Sequence, residues 1–456
     1  MQAQPSEAYR IVGILLSDLG ERGLLREGPA VPQRSQRIFQ RLHDTNAAFA
    51  SVRRIHADPD ECRRFINALS GLLDESCWYD MIHNLLFYYI IQSYEFITTS
   101  LTGILDDGKL CLKKPPMMSD ILSELEDCAG CKEFDSMLNN RLRNALAHGT
   151  YWFEEHPAGP RLVYDGVPDG GLSLPALIGE FNQIHDVILA LRAWHGDMSP
   201  ARPARVLAGL SRSGRAFLTG DPAAAHGARM AGIYRVVGLL MDGLAKKGML
   251  REEPADTPEL RGILSRFCRM TSVMLSFRTV YHDPRKGAEL RRRTSRWLSV
   301  DDWDEIMYNL TLYHLVQSYE LTGTILAWVL GMAGSGTRRF PKISKMLENA
   351  GPGRGEFEAL LNEDLRNALA HGDYWVDDGA DGWHLVYEDA PRGGLGIRDV
   401  AAEHYRIHGA LSALRSWYDG WLARGQPSQG GPDGPGSGRV DPGSAPADCR
   451  VYGTTE

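Results

Sequence analysis

The chain lacks several things that would each have pointed to a function. No apolar run approaches the twenty or so residues of a membrane span, so the sequence predicts a protein outside the bilayer. Basic residues do not outnumber acidic ones: 50 Lys and Arg stand against 58 Asp and Glu, a net charge of −8. A general attraction to polyanions is thereby excluded, and any nucleic-acid substrate must meet a local basic patch. Cysteine is scarce, seven in 456 residues at uneven spacing, which fits reduced thiols and not a disulfide framework. The first residues carry no basic leader before their short apolar stretch, so a cytoplasmic location is expected. Phosphate-cradling GxxxxGK[ST] loops, GxSxG elbows and HExxH zinc motifs are all missing, which removes support for nucleotide hydrolysis, ester hydrolysis and zinc proteolysis.

What the chain does have is a repetition. The heptapeptide RNALAHG occurs twice, as Arg143 to Gly149 and as Arg366 to Gly372. The similarity spreads outward from it. Tyr9 and Arg10 recur as Tyr234 and Arg235, 225 positions on, and Asp58 and Pro59 recur as Asp283 and Pro284 at the same shift. WYDMIHNLLFYYIIQSYEF pairs with WDEIMYNLTLYHLVQSYEL, and IHDVILALRAW pairs with IHGALSALRSW. These matches predict two copies of one domain, residues 6–197 and 231–422, joined by an Arg-, Ala- and Gly-rich linker over 198–230. Residues 423–456 are rich in Gly and Pro and read as a disordered tail.

Within each copy the hydrophobic spacing is mostly helical, so the fold class is all-α, with each copy a bundle of helices. One helix is expected over RSQRIFQRLHDTNAAFASVRRI, and another over the Tyr-rich segment. TYWFEE and RLVYD, like DYWVDD and WHLVYED, are short, aromatic and separated by turn residues, so a small inserted β-hairpin is expected in each copy.

The polar residues of the repeated heptapeptide are not those that packing requires. Asn144 and His148, four apart, lie one above the other on a helix, whereas Arg143 and His148 stand about 140° apart around it. Gly149 then ends the helix, placing His148 in its last turn. On the Tyr-rich helix, Asn84, Tyr88, Gln92 and Glu95 keep to one narrow arc, matched in register by Asn309, Tyr313, Gln317 and Glu320. A carboxylate buried there needs a cation, and Arg143 and Arg366 are the candidates for Glu95 and Glu320.

The pattern of Arg143, Asn144 and His148, repeated as Arg366, Asn367 and His371 in an all-helical setting, resembles the HEPN superfamily. Its defining motif is an Arg, a polar residue and then a His. The resemblance covers both copies and omits the linker and tail. It implies two tandem HEPN-like bundles packed as an intramolecular pseudo-dimer, and a metal-independent endoribonuclease with no cofactor. The catalytic residues would be Arg143, His148, Arg366 and His371. Supporting roles fall to Asn144, Asn367, Glu95, Glu320, Tyr88 and Tyr313. One His would take the proton of a ribose 2′-hydroxyl, the other would protonate the leaving 5′-oxygen, and the arginines would hold the phosphorus-centred charge. The resemblance further implies RNA as substrate, an antitoxin or regulatory partner, and a setting in prokaryotic defence, toxin action or stress; whether the chain associates further into a homo-oligomer is left open by the sequence. Tyr151 and Tyr374 fall three residues after the His, one position farther than in the family's toxins that are paired with nucleotidyltransferases. The alternative from a different class is a non-catalytic module that binds a nucleotide or protein through the same residues.

Blander expectations attach to the rest. Trp152, Trp375, Tyr151 and Tyr374 read as core aromatics before base-stacking ones, and His185 and His408 as packing histidines. Cys128 and Cys131 form one CxxC without a fourth ligand, so no metal is expected. Arg291 to Arg293 and Arg296 read as a solvated helix face.

Overall fold

A computed structural model describes residues 7–26, 41, 45, 48–56, 58–105, 117–157, 160–167, 170–194, 223–251, 257–332, 342–379, 382–391 and 393–425. The chain is mostly helical, with a few short strands. Among the described residues, no helix is long and apolar enough to cross a membrane. The tail expected over 423–456 lies outside the described residues after 425, and so does most of the expected linker, although the Ala223–Lys246 helix begins inside that segment. Of the helix expected around residues 34–55, positions 48–56 are helical, as are Arg41 and Thr45.

The chain forms two compact units. The first holds residues up to 220 with residues 269–316 and 363–401, and the second holds residues 221–268, 317–362 and 402–456.

In the first unit, the Glu75–Ile104 helix is the centre of the core. Trp78, Phe87, Ile90, Ile97 and Leu101 on it are buried almost completely. The Leu174–Trp194 helix packs on it, and so does the Asn140–Ala147 helix; the Glu7–Glu21 helix lies against Leu174–Trp194. The recurring Asp-Pro pairs are helix starts. Asp58 accepts from the backbone N–H groups of Asp60 and Glu61 before Pro59–Leu69, and Asp283 accepts from those of Arg285 and Lys286 before Pro284–Thr294. Proline at the first helical position gives up only a donor that the helix could not have used. These two helices pack on each other, sealed by Glu61, which takes bonds from Arg296 and the Trp297 indole.

The expected hairpins are present. Tyr151–Glu154 pairs antiparallel with Arg161–Tyr164, and Tyr374–Gly379 pairs with Gly382–Tyr387. The second gains a strand the sequence did not announce, Leu395–Gly396, which pairs with the Gly382–Tyr387 strand. Its counterpart beside the first hairpin is a single bridge between Leu162 and Leu172.

The hairpins also carry two reciprocal bonds between the copies. The Tyr88 hydroxyl meets that of Tyr374, and the Tyr313 hydroxyl meets that of Tyr151 at 2.7 Å. Tyr88 corresponds to Tyr313, and Tyr151 to Tyr374, so the same pair is made twice with the copies exchanged. All four rings are buried. Tyr88→Phe leaves the Tyr374 hydroxyl short of that partner and is expected to cost about 1–2 kcal/mol. Removing both hydroxyls is expected to cost less than the sum of the single changes, which a double-mutant cycle by urea denaturation measures.

The second unit is built on the Ala223–Lys246 helix, the two short helices Ile343–Met346 and Arg354–Glu358, and the greater part of Ile397–Gly425. Leu240, Leu244, Leu347, Phe357, Leu411 and Leu414 form its core. Gly353, at φ 86°, lets the chain approach the Leu240 backbone, where a Cβ would come within 2.7 Å of the amide nitrogen.

Candidate active site

The two motif helices end in the same way. Asn139 caps the start of Asn140–Ala147 by accepting from the Leu142 N–H at 3.0 Å. Leu142, Ala145, Leu146 and Ala147 turn inward, which accounts for the apolar spacers of RNALAHG. At the far end the His148 N–H donates to Asn144 O at 2.9 Å, Gly149 takes φ 63°, and the Thr150 N–H returns to Ala145 O. Glu363–Ala370 repeats this closure: the His371 N–H donates to Asn367 O at 2.9 Å, Gly372 takes φ 65°, and the Asp373 N–H returns to Ala368 O. Each His is therefore the residue before a left-handed glycine, a place only a residue without Cβ occupies cheaply. The hairpin begins two residues after that glycine, at Tyr151 or Tyr374.

Each motif Arg is oriented by its neighbour. Arg143 Nη1 donates to Asn144 Oδ1 at 2.9 Å, and Arg366 Nη1 to Asn367 Oδ1 at 2.8 Å. Arg143 also forms an ion pair with Glu95, in which the side chains are only 15% and 13% exposed, so the pair is shielded from bulk water. The second carboxylate oxygen of Glu95 lies 3.9 Å from Nδ1 of His371. Gln92, one turn earlier, donates to Leu369 O at 2.9 Å. The Tyr-rich helix of the first copy thus touches Arg143 of its own motif and His371 of the other, all within the first unit.

His371 is held well below the ordinary imidazole value, to about 4. Burial by the surrounding protein is the largest cause, followed by the charges of Arg143 and Arg366, with Asp373 opposing. The side chain nevertheless keeps 46% of its surface exposed, so its open edge can be reached by a ligand. At neutral pH the ring is uncharged. Because its folded value is depressed, the unfolded chain takes up the proton first, and stability is lost as pH falls from about 6.5 toward 4. His371→Ala is expected to lessen that acid loss, measured as the difference between urea midpoints at pH 7 and pH 5 in the two proteins.

The remaining sequence candidates are placed as follows. His148 caps its helix as His371 does. Glu320 lies on the part of Val300–Val329 that belongs to the second unit, whereas Arg366 belongs to the first. Tyr88 and Tyr313 are inside the core, where their hydroxyls join the copies. Tyr151 and Tyr374 are their partners and equally buried, so neither hydroxyl is presented for modification. Trp152 and Trp375 are partly exposed and donate two residues along their own strands, to Glu154 and Asp377. His185 accepts or donates at 3.1 Å to the Tyr89 hydroxyl and stacks on Phe181. His408 stacks on His404. The arginine run is engaged by carboxylates: Arg292 and Arg293 by Glu289, and Arg296 by Glu61. Cys128 and Cys131 are buried thiols, and burial pushes Cys131 up to about 11, which disfavours the thiolate that a metal would need.

One residue beside this locus was missed. Arg41 sends Nη1 to the carbonyls of Gly372 and Tyr374, at 3.1 Å each. The signal was available in the repeat itself, because Arg41 and Arg266 stand 225 positions apart, in the register of Asp58 and Asp283. The helices around them are otherwise too dissimilar to draw the eye.

Comparison with known proteins adds no constraint: no family model, curated protein or solved structure matches the chain.

Proposed function

We propose that the chain is a metal-independent endoribonuclease whose active site combines both RNALAHG motifs. The observation that carries the reading is the convergence on His371: Glu95 of the first copy reaches both Arg143 and His371, and the charges of both motif arginines bear on that imidazole. The reciprocal tyrosine bonds support two HEPN-like bundles arranged as a pseudo-dimer.

In this mechanism His371, uncharged at neutral pH, takes the proton of a ribose 2′-hydroxyl. The 2′-oxygen attacks the adjacent phosphorus, and His148 gives its proton to the departing 5′-oxygen. Arg143 and Arg366 hold the charge that gathers on the phosphoryl oxygens. An arriving phosphate raises the basicity of His371, since its negative charge offsets the two guanidinium groups. The products are a 2′,3′-cyclic phosphate and a 5′-hydroxyl. RNA is the substrate, and a regulatory or antitoxin partner would restrain the activity in a cytoplasmic, defence-related setting.

The test is incubation of the purified protein with a mixed RNA pool in EDTA, followed by analysis of the ends. Cleavage to cyclic-phosphate ends is expected. Intact RNA, or cleavage only when a divalent metal is added, would overturn the reading in favour of a binding module or a metal enzyme.

A further inference from the structure

Arg41 is only 6% exposed, yet it lies outside both motifs. Besides its two bonds to Gly372 O and Tyr374 O, its guanidinium carbon sits 3.9 Å from the centre of the Tyr374 ring. Its Nε and Nη2 find no hydrogen-bond partner among the described residues. A buried guanidinium with idle donors lowers stability, so packing alone gives no reason to keep it. The second copy nonetheless carries Arg266 at the same register, also 6% exposed.

Among the described residues, both hydrogen bonds of Arg41 and its ring contact fall on the turn that follows His371, while its charge also bears on the buried hydroxyls of Tyr88 and Tyr308. A Cβ at Gly372 would stand 3.2 Å from Arg41 Nη2, 3.1 Å from the Cβ of Glu95 and 3.3 Å from Gln92 Oε1. Three side chains of the first copy therefore form one seat for a turn of the second, and Arg41 holds its backbone oxygens. We propose that Arg41 is a positioning residue: the first copy's guanidinium locks the Gly372–Tyr374 turn and so fixes where the His371 imidazole stands. Its effect on catalysis rests on the reading of His371 as the base; the positioning itself does not.

The test reads His371 directly. The protein is prepared as wild type, Arg41→Met and Arg41→Lys, and the imidazole signal that vanishes in His371→Ala is titrated by NMR. The charged groups facing that ring, Glu95, Arg143, Arg366 and Asp373, are the same in all three proteins. With Met, thermal stability should fall only modestly, because the Gly372 and Tyr374 carbonyls lose their donor while a buried cation with two idle nitrogens is removed as well. The loosened turn should let water onto the ring, raising its midpoint by about one unit or more toward the ordinary value. RNA cleavage should fall about 10- to 100-fold through misplacement of the base. Lys, which can satisfy a carbonyl but cannot span two and stack as the guanidinium does, should restore part of both. If Arg41→Met does not fold, Arg41→Lys carries the same titration, with a smaller rise expected. An unmoved His371 midpoint, whatever the thermal stability, would reduce Arg41 to packing and overturn the proposal. If the wild type cuts no RNA while the midpoint still moves, the nuclease reading fails and the positioning role stands.

Discussion

Arg143→Ala is expected to lower stability and RNA cleavage together. Glu95 is 13% exposed and Arg143 is its cation, so truncating the Arg leaves a carboxylate in a site where water cannot adequately solvate it. Breaking such a pair costs about 3 kcal/mol. Loss of the guanidinium charge should also raise His371 toward its ordinary value, since Arg143 is one of the groups that depress it. Replacing both partners by Met should recover most of the stability, because neither charge then has to be desolvated. Cleavage should not recover, as the phosphate loses its cation in either case. Urea denaturation of the single and double variants measures the first effect. A single variant as stable as wild type would mean that the pair is not shielded as described.

Gly372→Ala is the second large effect. The residue sits at φ 65°, where any side chain is strained by about 1–2 kcal/mol, and the added methyl would press on Glu95, Arg41 and Gln92 at 3.1 to 3.3 Å. Gly248 provides the control, with the same φ of 65° and nothing within 4 Å of a Cβ, so Gly248→Ala should show the strain alone. The difference between the two losses, by thermal unfolding, reports the crowding at the seat of the His371 turn. Gly372→Val should be worse still, because a β-branched residue is a clear outlier in that conformation. Equal losses for the two alanine variants would show that the seat yields freely.

These effects trace back to features of unequal visibility in the sequence. The helical character, the hairpins and the glycine-terminated motif helices are local, and spacing or turn chemistry announces each of them; the Asp-Pro pairs stand out in the sequence only as members of the repeat, and the fold shows them to be caps. The bond of Arg143 to Glu95 follows from a polar stripe on an apolar helix, which asks for a cation. Contacts across copies are a different matter. Tyr88 reads as one more member of that stripe, and only the fold shows that its hydroxyl is taken by Tyr374. Arg41 lies in a helix whose two copies have diverged, and its partners are backbone carbonyls, which leave no trace in side-chain identity. The strand Leu395–Gly396 has two residues, too few for an alternation to register.

The central claim is that the two motifs make one site, and a comparison of His148→Ala, His371→Ala and the double variant in RNA cleavage under EDTA tests it most directly. If one His is the base and the other the acid of a single reaction, each single variant should lose about a hundredfold or more, and the double variant little beyond that. Single variants that each keep about half of the activity, with loss only in the double variant, would mean two independent sites and contradict the account.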